Sequence, residues 1–160
     1  MYKSIFDRIT VCLLLMLIFQ LFSCASASQE EPVLPGAFRM ESYLPKLSDM
    51  HVGVVANHTS LVKDVNLIDT LLSRKVGIRK IFTPEHGFRG QAGAGRPVAD
   101  EVYSQDSIPV VSLYGKKRKP NPADLDEIDI MLFDLQDVGV RFYTYISTLH
   151  YIMEACAEAG

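Results

Sequence analysis

The fold is decided by the stretch IRKIFTPEHGFRG at residues 78–90. It opens with a short apolar, β-branched run, Ile78 to Phe82, which is typical of a buried strand. The segment that follows at once contains Glu85, His86 and Arg89. Because ligands of open α/β sheets bind where strands end, these titratable side chains form the first candidate site. The alternative is a solvated turn, since one proline and two glycines lie in the same segment.

A strand and a helix are predicted upstream of this stretch. The run HVGVVA at residues 51–56 is typical of a buried strand, and a helix is predicted from about Leu67 to Lys75. Asn66 can cap the start of this helix, and Gly77 can terminate it. Strand, helix and strand then form a βαβ unit, which predicts parallel strands joined by a right-handed crossover.

Further elements continue the same alternation. Apolar runs predict strands at Ile108 to Leu113 and at Ile128 to Phe133. Between them, Asn121 can cap a short helix from Pro122 to Glu127. Upstream of the first strand, the segment Met40 to Leu47 is ambiguous between a short helix and a loop, because it contains a proline. The alternation predicts an α/β fold with a parallel sheet and flanking helices.

The last predicted element is a helix from Tyr145 to Ala159, with Thr144 as its cap. Four apolar side chains at spacings of three or four predict the face that packs on the core. They are Ile146, Leu149, Met153 and Cys156. A βαβ series that stops after a helix leaves that helix no strand to cross over to. We therefore expect the chain to be a fragment that lacks at least one strand and a further domain.

The N-terminal region is typical of an export signal. Lys3 and Arg8 precede an apolar run from Ile9 to Phe22, which is too short for a comfortable membrane span. Two endings compete. In the favoured one, Leu-Phe-Ser-Cys is a lipoprotein box, and Cys24 is lipidated and becomes the mature N-terminus. In the other, ordinary cleavage follows the Ala-Ser-Ala sequence at residues 25–27. Both predict an exported protein, periplasmic or at the cell surface.

The expected organisation is a signal peptide at 1–24, a tether at 25–35 and one incomplete domain at 36–160. With 48% hydrophobic and 22% charged residues, the composition is that of a globular protein. A net charge of −3 argues against nucleic acid as a partner. Of the three cysteines, Cys12 and Cys24 belong to the signal and the anchor, so Cys156 has no intramolecular disulfide partner.

Polar groups follow each of the four predicted strands directly. Because the carboxyl ends of parallel strands meet at one edge of a sheet, these groups are expected to converge there as an active site. Each also has a structural alternative, such as closing a turn or capping an element. The groups are Asn57, His58, Glu85, His86, Arg89, Tyr114, Asp134, Gln136 and Asp137.

Glu85 is the residue best suited to catalysis. A carboxyl group in a partly dry cleft has a raised pKa and can act as a general acid, the proton donor that cleavage of a glycosidic bond requires. His86 is interpreted as a side chain that orients Glu85. Metal-assisted hydrolysis is the alternative, because His58, His86, Asp134 and Asp137 are ligand types, although no H-E-x-x-H motif occurs. The sequence has no G-x-G-x-x-G motif or P-loop, and we predict neither a cofactor nor a metal.

Four long motifs in this order resemble the DUF1343 family, whose characterised members are exo-β-N-acetylmuramidases of the NamZ type. The motifs are VGVVANHTS at 52–60, IFTPEHGFRG at 81–90, PVVSLYG at 109–115 and FDLQDVGVRFYTY at 133–145. The resemblance implies a secreted glycosidase of cell-wall recycling that removes N-acetylmuramic acid from the non-reducing end of peptidoglycan fragments. It also implies a Rossmann-like N-terminal domain, a smaller C-terminal domain and an active site between them.

The resemblance assigns Glu85 as the catalytic general acid/base, assisted by His86. Arg89 or Arg141 would bind the lactyl carboxylate, since guanidinium offers bidentate geometry. The substrate's own 2-acetamido group would act as the nucleophile. The complete expected set of substrate-binding residues is Asn57, His58, Arg89, Asp134, Asp137, Arg141 and Tyr143. The expected partners are a peptidoglycan-derived sugar and, through the lipid anchor, a membrane. The alternative is a lipoprotein that binds such sugars without cleaving them.

Overall fold

A computed structural model describes Arg8, residues 10–14, Met16 and residues 33–93, 95, 96, 99, 101–103 and 107–160. The chain divides into two compact units, Met1–Val33 and Leu34–Gly160. In the first unit all described residues before Val33 are helical. None of the helices built from described residues is long and apolar enough to span a bilayer. Cys24 and most of the expected signal and tether lie outside the described residues, so signal cleavage and lipidation stay predictions.

The second unit contains a five-stranded sheet in the order β5-β6-β4-β1-β7, in which only the β5–β6 pair is antiparallel. A separate two-stranded hairpin is formed by β2 and β3. The sheet and its flanking helices confirm the predicted α/β fold. The strands are β1 (His51–Ala56), β2 (Leu61–Val62), β3 (Val65–Asn66), β4 (Gly77–Thr83), β5 (Glu101–Tyr103), β6 (Ile108–Ser112) and β7 (Ile130–Asp134).

Helices cover both faces of the sheet. They are α1 (Met40–Leu47), α2 (Leu67–Ser73), α3 (Pro122–Leu125) and α4 (Tyr145–Ala159), preceded by a 3₁₀ turn at Gly36–Phe38. One apolar core lies between the sheet and α1 and α2, and a second lies between the sheet and α3 and α4. The sheet is therefore the middle of three layers, and its strand ends remain available for a site.

Two predicted helix caps are confirmed. The Asn66 side chain accepts a hydrogen bond from the Ile68 amide at 2.8 Å. Asn121 and Asp124 form a reciprocal capping box at the start of α3. Gly77, however, does not terminate α2. Lys75 adopts the left-handed conformation there (φ 62°), and Gly77 instead begins β4, where a Cβ would lie 3.0 Å from the Met50 carbonyl oxygen.

The face of α4 that was predicted to pack on the core is wrong, because the helix is rotated about its axis. Ile146 and Met153 are 65% and 63% exposed. The buried positions are instead Tyr145, Thr148, Ile152 and Ala155. Two contacts account for this rotation: the Tyr145 hydroxyl bonds to Asn57, and Ile152 belongs to the core formed with Val55 and Phe82.

Thr144 also does not cap α4 through its side chain. Its backbone is already helical (φ −96°, ψ −2°), whereas a capping residue is extended. The Thr144 carbonyl oxygen accepts hydrogen bonds from the Ser147 and Thr148 amides instead. The first turn of α4 therefore begins one residue earlier than the predicted cap requires.

The parallel strands end at the same level. Ala56 pairs with Asp134 across β1 and β7, Val55 pairs with Phe82 across β1 and β4, and Thr83 pairs with Ser112 across β4 and β6. The predicted convergence of four strand ends on one edge is confirmed.

Candidate functional site

The turn after β4 places Glu85 and His86 at this edge. The Gly87 amide donates to the Pro84 carbonyl at 3.1 Å and closes the turn. His86, at its third position, has φ 73°, a conformation that favours glycine. A residue other than glycine held there costs on the order of 1 kcal/mol, and such strain concentrates at functional sites.

His86 holds the loop that follows this turn. Its Nδ1 lies 2.7 Å from the Ala92 carbonyl oxygen, and the Ala92 amide donates to the His86 carbonyl at 3.2 Å. Because a carbonyl only accepts, Nδ1 carries a proton. His86 therefore positions residues 87–92 as well as facing Glu85.

Glu85 has a lowered pKa, which contradicts the expectation of a raised one. The main cause is a hydrogen bond from the Gly95 amide to Oε1 at 3.0 Å. Burial opposes this effect, while a hydrogen bond with Tyr114 and the positive charges of His86 and Arg118 lower the pKa further. The carboxyl group is partly exposed and surrounded by donors, so its ionised form is favoured. The hydrogen bond between Glu85 and Tyr114 raises the pKa of Tyr114.

Glu85 lines a cavity of about 310 Å³ together with Phe142, Tyr143 and Tyr145, which form an aromatic wall. The ring centroids of Phe142 and Tyr143 lie 6.2 Å apart, and those of Tyr143 and Tyr145 lie 5.4 Å apart with planes nearly perpendicular. This volume is at the lower end for ligand pockets and suits one ring-sized ligand. The lining residues are Glu85, His86, Phe142, Tyr143, Thr144 and Tyr145.

Asn57 connects the end of β1 to this wall without lining the cavity. Its side chain is fully buried. Oδ1 accepts from the Thr59 amide at 2.9 Å and from the Thr59 hydroxyl at 2.7 Å. Nδ2 donates to the Tyr145 hydroxyl at 3.1 Å. The arrangement supports a positioning function for Asn57 rather than direct contact with a ligand.

Asp134 is the last residue of β7 but lies in a different place from Glu85. Its backbone carbonyl oxygen accepts a hydrogen bond from the Ser60 hydroxyl at 2.5 Å. That hydroxyl in turn accepts a hydrogen bond from the backbone amide of Asn57 at 3.0 Å. Asp134 lines a separate cavity of about 260 Å³ together with Tyr43. Burial raises the pKa of the Asp134 carboxyl. The structure therefore does not bring this carboxylate into the cavity of Glu85.

His58 and Arg89 lie outside the lining of the cavity of Glu85. The His58 ring covers Gly90, where a Cβ would lie 2.4 Å from the His58 Nδ1. Arg89 is exposed, and its charge acts on Tyr103 of β5. The pKa of Tyr103 is nevertheless raised to about 12, by burial and by its hydrogen bond to Asp69. The polar segments that follow β1 and β4 thus meet at His58 and Gly90.

Asp137 and Arg141 line a neighbouring cavity of about 400 Å³. Tyr143 lines both this cavity and that of Glu85, so the two are adjacent. Asp137 Oδ1 accepts from the Gly139 amide at 2.7 Å, which stabilises the loop. The Arg141 side chain is exposed. Asp137 and Arg141 thus share a cavity with Tyr143 of the aromatic wall.

Sequence reasoning missed two residues that the structure places around Glu85. They are Phe142 and Thr144, which lie inside the last of the motifs quoted above, just before α4. Tyr114, one of the polar groups expected at the strand ends, forms a hydrogen bond with Glu85. Across the described residues, no three His, Cys, Asp or Glu side chains are grouped so as to hold a metal ion.

Comparison with known proteins identifies relatives of this chain. Residues 52–160 match the family model described as exo-β-N-acetylmuramidase NamZ, N-terminal. The chain is 41% identical over 125 residues to peptidoglycan β-N-acetylmuramidase NamZ of Bacillus subtilis (strain 168), a match that covers 76% of this chain and 30% of the relative.

Two crystal structures of DUF1343 family proteins from Bacteroides fragilis NCTC 9343 share the fold. One has a TM-score of 0.67 and 37% identity, covering 80% of this chain and 32% of the other. The second has a TM-score of 0.65 and 39% identity, covering 74% of this chain and 30% of the other. The chain thus spans about a third of the length of these relatives.

Proposed function

Because the chain belongs to the family of NamZ N-terminal regions, we propose that it supplies the catalytic carboxylate of a glycoside hydrolase. The proposed reaction releases N-acetylmuramic acid from the non-reducing end of peptidoglycan fragments. The substrate class comes from the B. subtilis relative, whose name is peptidoglycan β-N-acetylmuramidase. The activity is proposed for the whole protein, since the chain spans about a third of its relatives.

The observation that carries the proposal is the cavity shared by Glu85 and the aromatic wall. A pyranose ring has an apolar face of C–H groups that packs on aromatic side chains, while its edge presents oxygens to polar groups. Phe142 is 82% exposed and its ring adjoins that of Tyr143, so together they present an aromatic surface to the cavity. The wall therefore suits a sugar ring held with its anomeric bond near Glu85.

Glu85 is proposed to cycle between carboxylate and acid. In the ligand-free chain the lowered pKa favours the carboxylate. A sugar ring on the wall displaces water, which raises the pKa and leads to uptake of one proton. Glu85 then donates this proton to the glycosidic oxygen as the bond from C1 to that oxygen breaks. The 2-acetamido carbonyl oxygen bonds to C1, and water later replaces it while giving a proton back to Glu85.

The neighbouring cavity is proposed to bind the lactyl side chain. Arg141 is exposed there, and its guanidinium can form two parallel hydrogen bonds with the lactyl carboxylate. Tyr143 lines both this cavity and that of Glu85, so the same tyrosine ring would contact ligand groups in both cavities. Asp137 can accept a hydrogen bond from the acetamido N–H. Arg89, which lies toward β5, is the less favoured of the two arginines.

Export and lipid anchoring at Cys24 are also proposed, from the sequence alone. A lipid anchor would hold the protein beside the cell wall that contains its substrate. Metabolic labelling with palmitate should mark the wild-type protein and not the Cys24→Ala variant. Labelling of both proteins, or of neither, would reject this part of the proposal.

The central experiment replaces Glu85 by Gln and measures release of a chromophore from its β-glycoside with N-acetylmuramic acid. We expect the rate to fall about 10³-fold, the scale of a lost general acid/base. Glu101→Gln is the matched control, because Glu101 is an exposed glutamate on the edge strand β5 and its replacement should not change the rate. Near-normal turnover by Glu85→Gln would reject the assignment. Binding without any wild-type turnover would support the sugar-binding alternative.

A further inference from the structure

The hydrogen-bond network behind the aromatic wall determines the direction of the Tyr145 proton. We infer that the Tyr145 hydroxyl donates a hydrogen bond to a neutral oxygen of the bound sugar, and that Asn57 is the positioning residue that turns its proton toward the cavity. Only the identity of the sugar rests on the proposed function. The direction of the hydrogen bond follows from the contacts of Asn57, Thr59 and Tyr145.

The orientation of the Asn57 amide is set by the backbone. An amide N–H can only donate, so the Asn57 atom that lies 2.9 Å from the Thr59 amide must be the oxygen. The second contact of that oxygen, with the Thr59 hydroxyl at 2.7 Å, is compatible with the same assignment. The Asn57 atom that faces Tyr145 at 3.1 Å is therefore the NH₂ group.

An NH₂ group facing a hydroxyl makes that hydroxyl the acceptor. Tyr145 consequently accepts from Asn57 through its oxygen and retains its own proton for another partner. Within the described ranges, no protein group accepts this proton, and Tyr145 lines the cavity of Glu85. Burial raises the pKa of Tyr145, the hydrogen bond from Asn57 opposes this effect, and the charges of Glu85 and Asp137 raise the pKa further, so the hydroxyl stays protonated.

The ligand atom that receives this proton has a defined chemistry. Glu85 and Tyr145 line the same cavity, and before a sugar binds the negative charge of Glu85 acts on the Tyr145 hydroxyl and disfavours the entry of an anionic group beside it. A neutral acceptor is therefore preferred, such as a ring hydroxyl or the N-acetyl carbonyl oxygen. The carboxylate of an acidic sugar would lie instead toward Arg141.

The test uses two substitutions with opposite effects on this hydrogen bond. Tyr145→Phe removes the donor. Asn57→Asp keeps an oxygen for Thr59 but replaces the NH₂ group by a second acceptor, which draws the Tyr145 proton away from the cavity. Binding of free N-acetylmuramic acid to the protein is measured by isothermal titration calorimetry, together with thermal unfolding of each variant.

We expect each variant to bind about 3- to 10-fold more weakly, the scale of one neutral hydrogen bond. The double variant should bind no more weakly than Tyr145→Phe alone. Tyr43→Phe is the matched control, because it removes a tyrosine hydroxyl that donates to the Ala37 carbonyl outside this cavity. It should leave the affinity unchanged. Wild-type affinity of Tyr145→Phe, or an equal loss from Asn57→Asp in the Tyr145→Phe background, would overturn the inference.

The two proposals fail in different ways. If the wild-type protein has no hydrolase activity but Tyr145→Phe still weakens binding, the proposed reaction fails and the inference stands. If hydrolysis occurs but Tyr145→Phe binds like the wild type, the inference alone fails. Absence of measurable binding to the wild-type protein would overturn the inference whatever the activity.

Discussion

Glu85 lies just after β4 and Asp134 ends β7, the two strands that flank β1, yet the pKa values of their carboxyl groups shift in opposite directions. The pKa of Glu85 is lowered, chiefly by the Gly95 amide, whereas burial raises the pKa of Asp134. Glu85 faces the aromatic wall, and Asp134 faces a cavity beside Tyr43. Two carboxylates on one sheet edge therefore occupy different electrostatic environments.

The difference shows what strand order does and does not determine. Parallel strands bring their polar ends to one edge, because their registers end at the same level. The face of the sheet and the local donors then decide which side chains share a cavity. Of the two carboxylates, only Glu85 is placed beside groups that suit a sugar ring.

The largest expected contrast is in activity. Asp134→Asn should leave kcat/KM close to the wild-type value, because the Asp134 side chain lies in its own cavity. Glu85→Gln should instead lose about 10³-fold. The measurement is the initial rate of chromogenic N-acetylmuramide hydrolysis over a range of substrate concentrations. Comparable losses in both variants would show that the two carboxylates act together and would break the comparison.

A smaller contrast is expected between the apolar side chains of the two cavities. Phe142→Ala should weaken sugar binding about 5-fold without changing stability, since Phe142 is largely exposed. Leu132→Ala, in the cavity of Asp134, should lower the free energy of unfolding by about 2 kcal/mol and leave binding unchanged. Calorimetric titration and chemical denaturation measure the two effects. A loss of stability in Phe142→Ala would instead indicate a packing function for this ring.

The smallest effects concern stability as a function of pH. The lowered pKa of Glu85 contributes stability above its ordinary value of 4.5, and this contribution is lost as pH falls through the folded-state pKa. Glu85→Gln should therefore lower Tm at pH 7 and have no effect in strong acid.

The raised pKa of Asp134 changes stability with pH in the opposite direction. Its contribution is present below the ordinary value of 3.8 and is lost as pH rises through the folded-state pKa. Asp134→Asn should accordingly gain Tm over the wild type as the pH rises above 3.8. Thermal unfolding at several pH values measures both variants. Parallel Tm curves for the wild type and either variant would contradict the corresponding shift.

Much of the fold was predictable because it depends on neighbours in the chain. The bounds of β1 and α4 agree with the predicted ones, and the Asn66 cap forms as expected. The strands β2, β3 and β5 were not predicted. With two or three residues each, they are too short to show a periodicity, and they exist through pairing with partner strands.

The candidate site was predictable in its location and less so in its membership. Glu85 and His86 share the cavity as expected, and Tyr143 lines it. Phe142 and Thr144 were missed because the segment before α4 reaches the end of β4 only through the tertiary fold. The predicted direction of the Glu85 pKa shift was wrong because the decisive hydrogen-bond donor, the Gly95 amide, lies ten residues away in a segment without periodicity.

The sequence by itself determined the order of the longer elements, the parallel pairing of the four longer strands and the motif that contains Glu85. These features follow from local apolar periodicity and from turn and cap residues, which act over a few positions. Only the tertiary structure decided the rotation of α4, the separation of Glu85 from Asp134 and the direction of the Tyr145 proton. Each of these depends on contacts between residues distant in the chain, such as Asn57 with Tyr145, whose geometry no local pattern encodes.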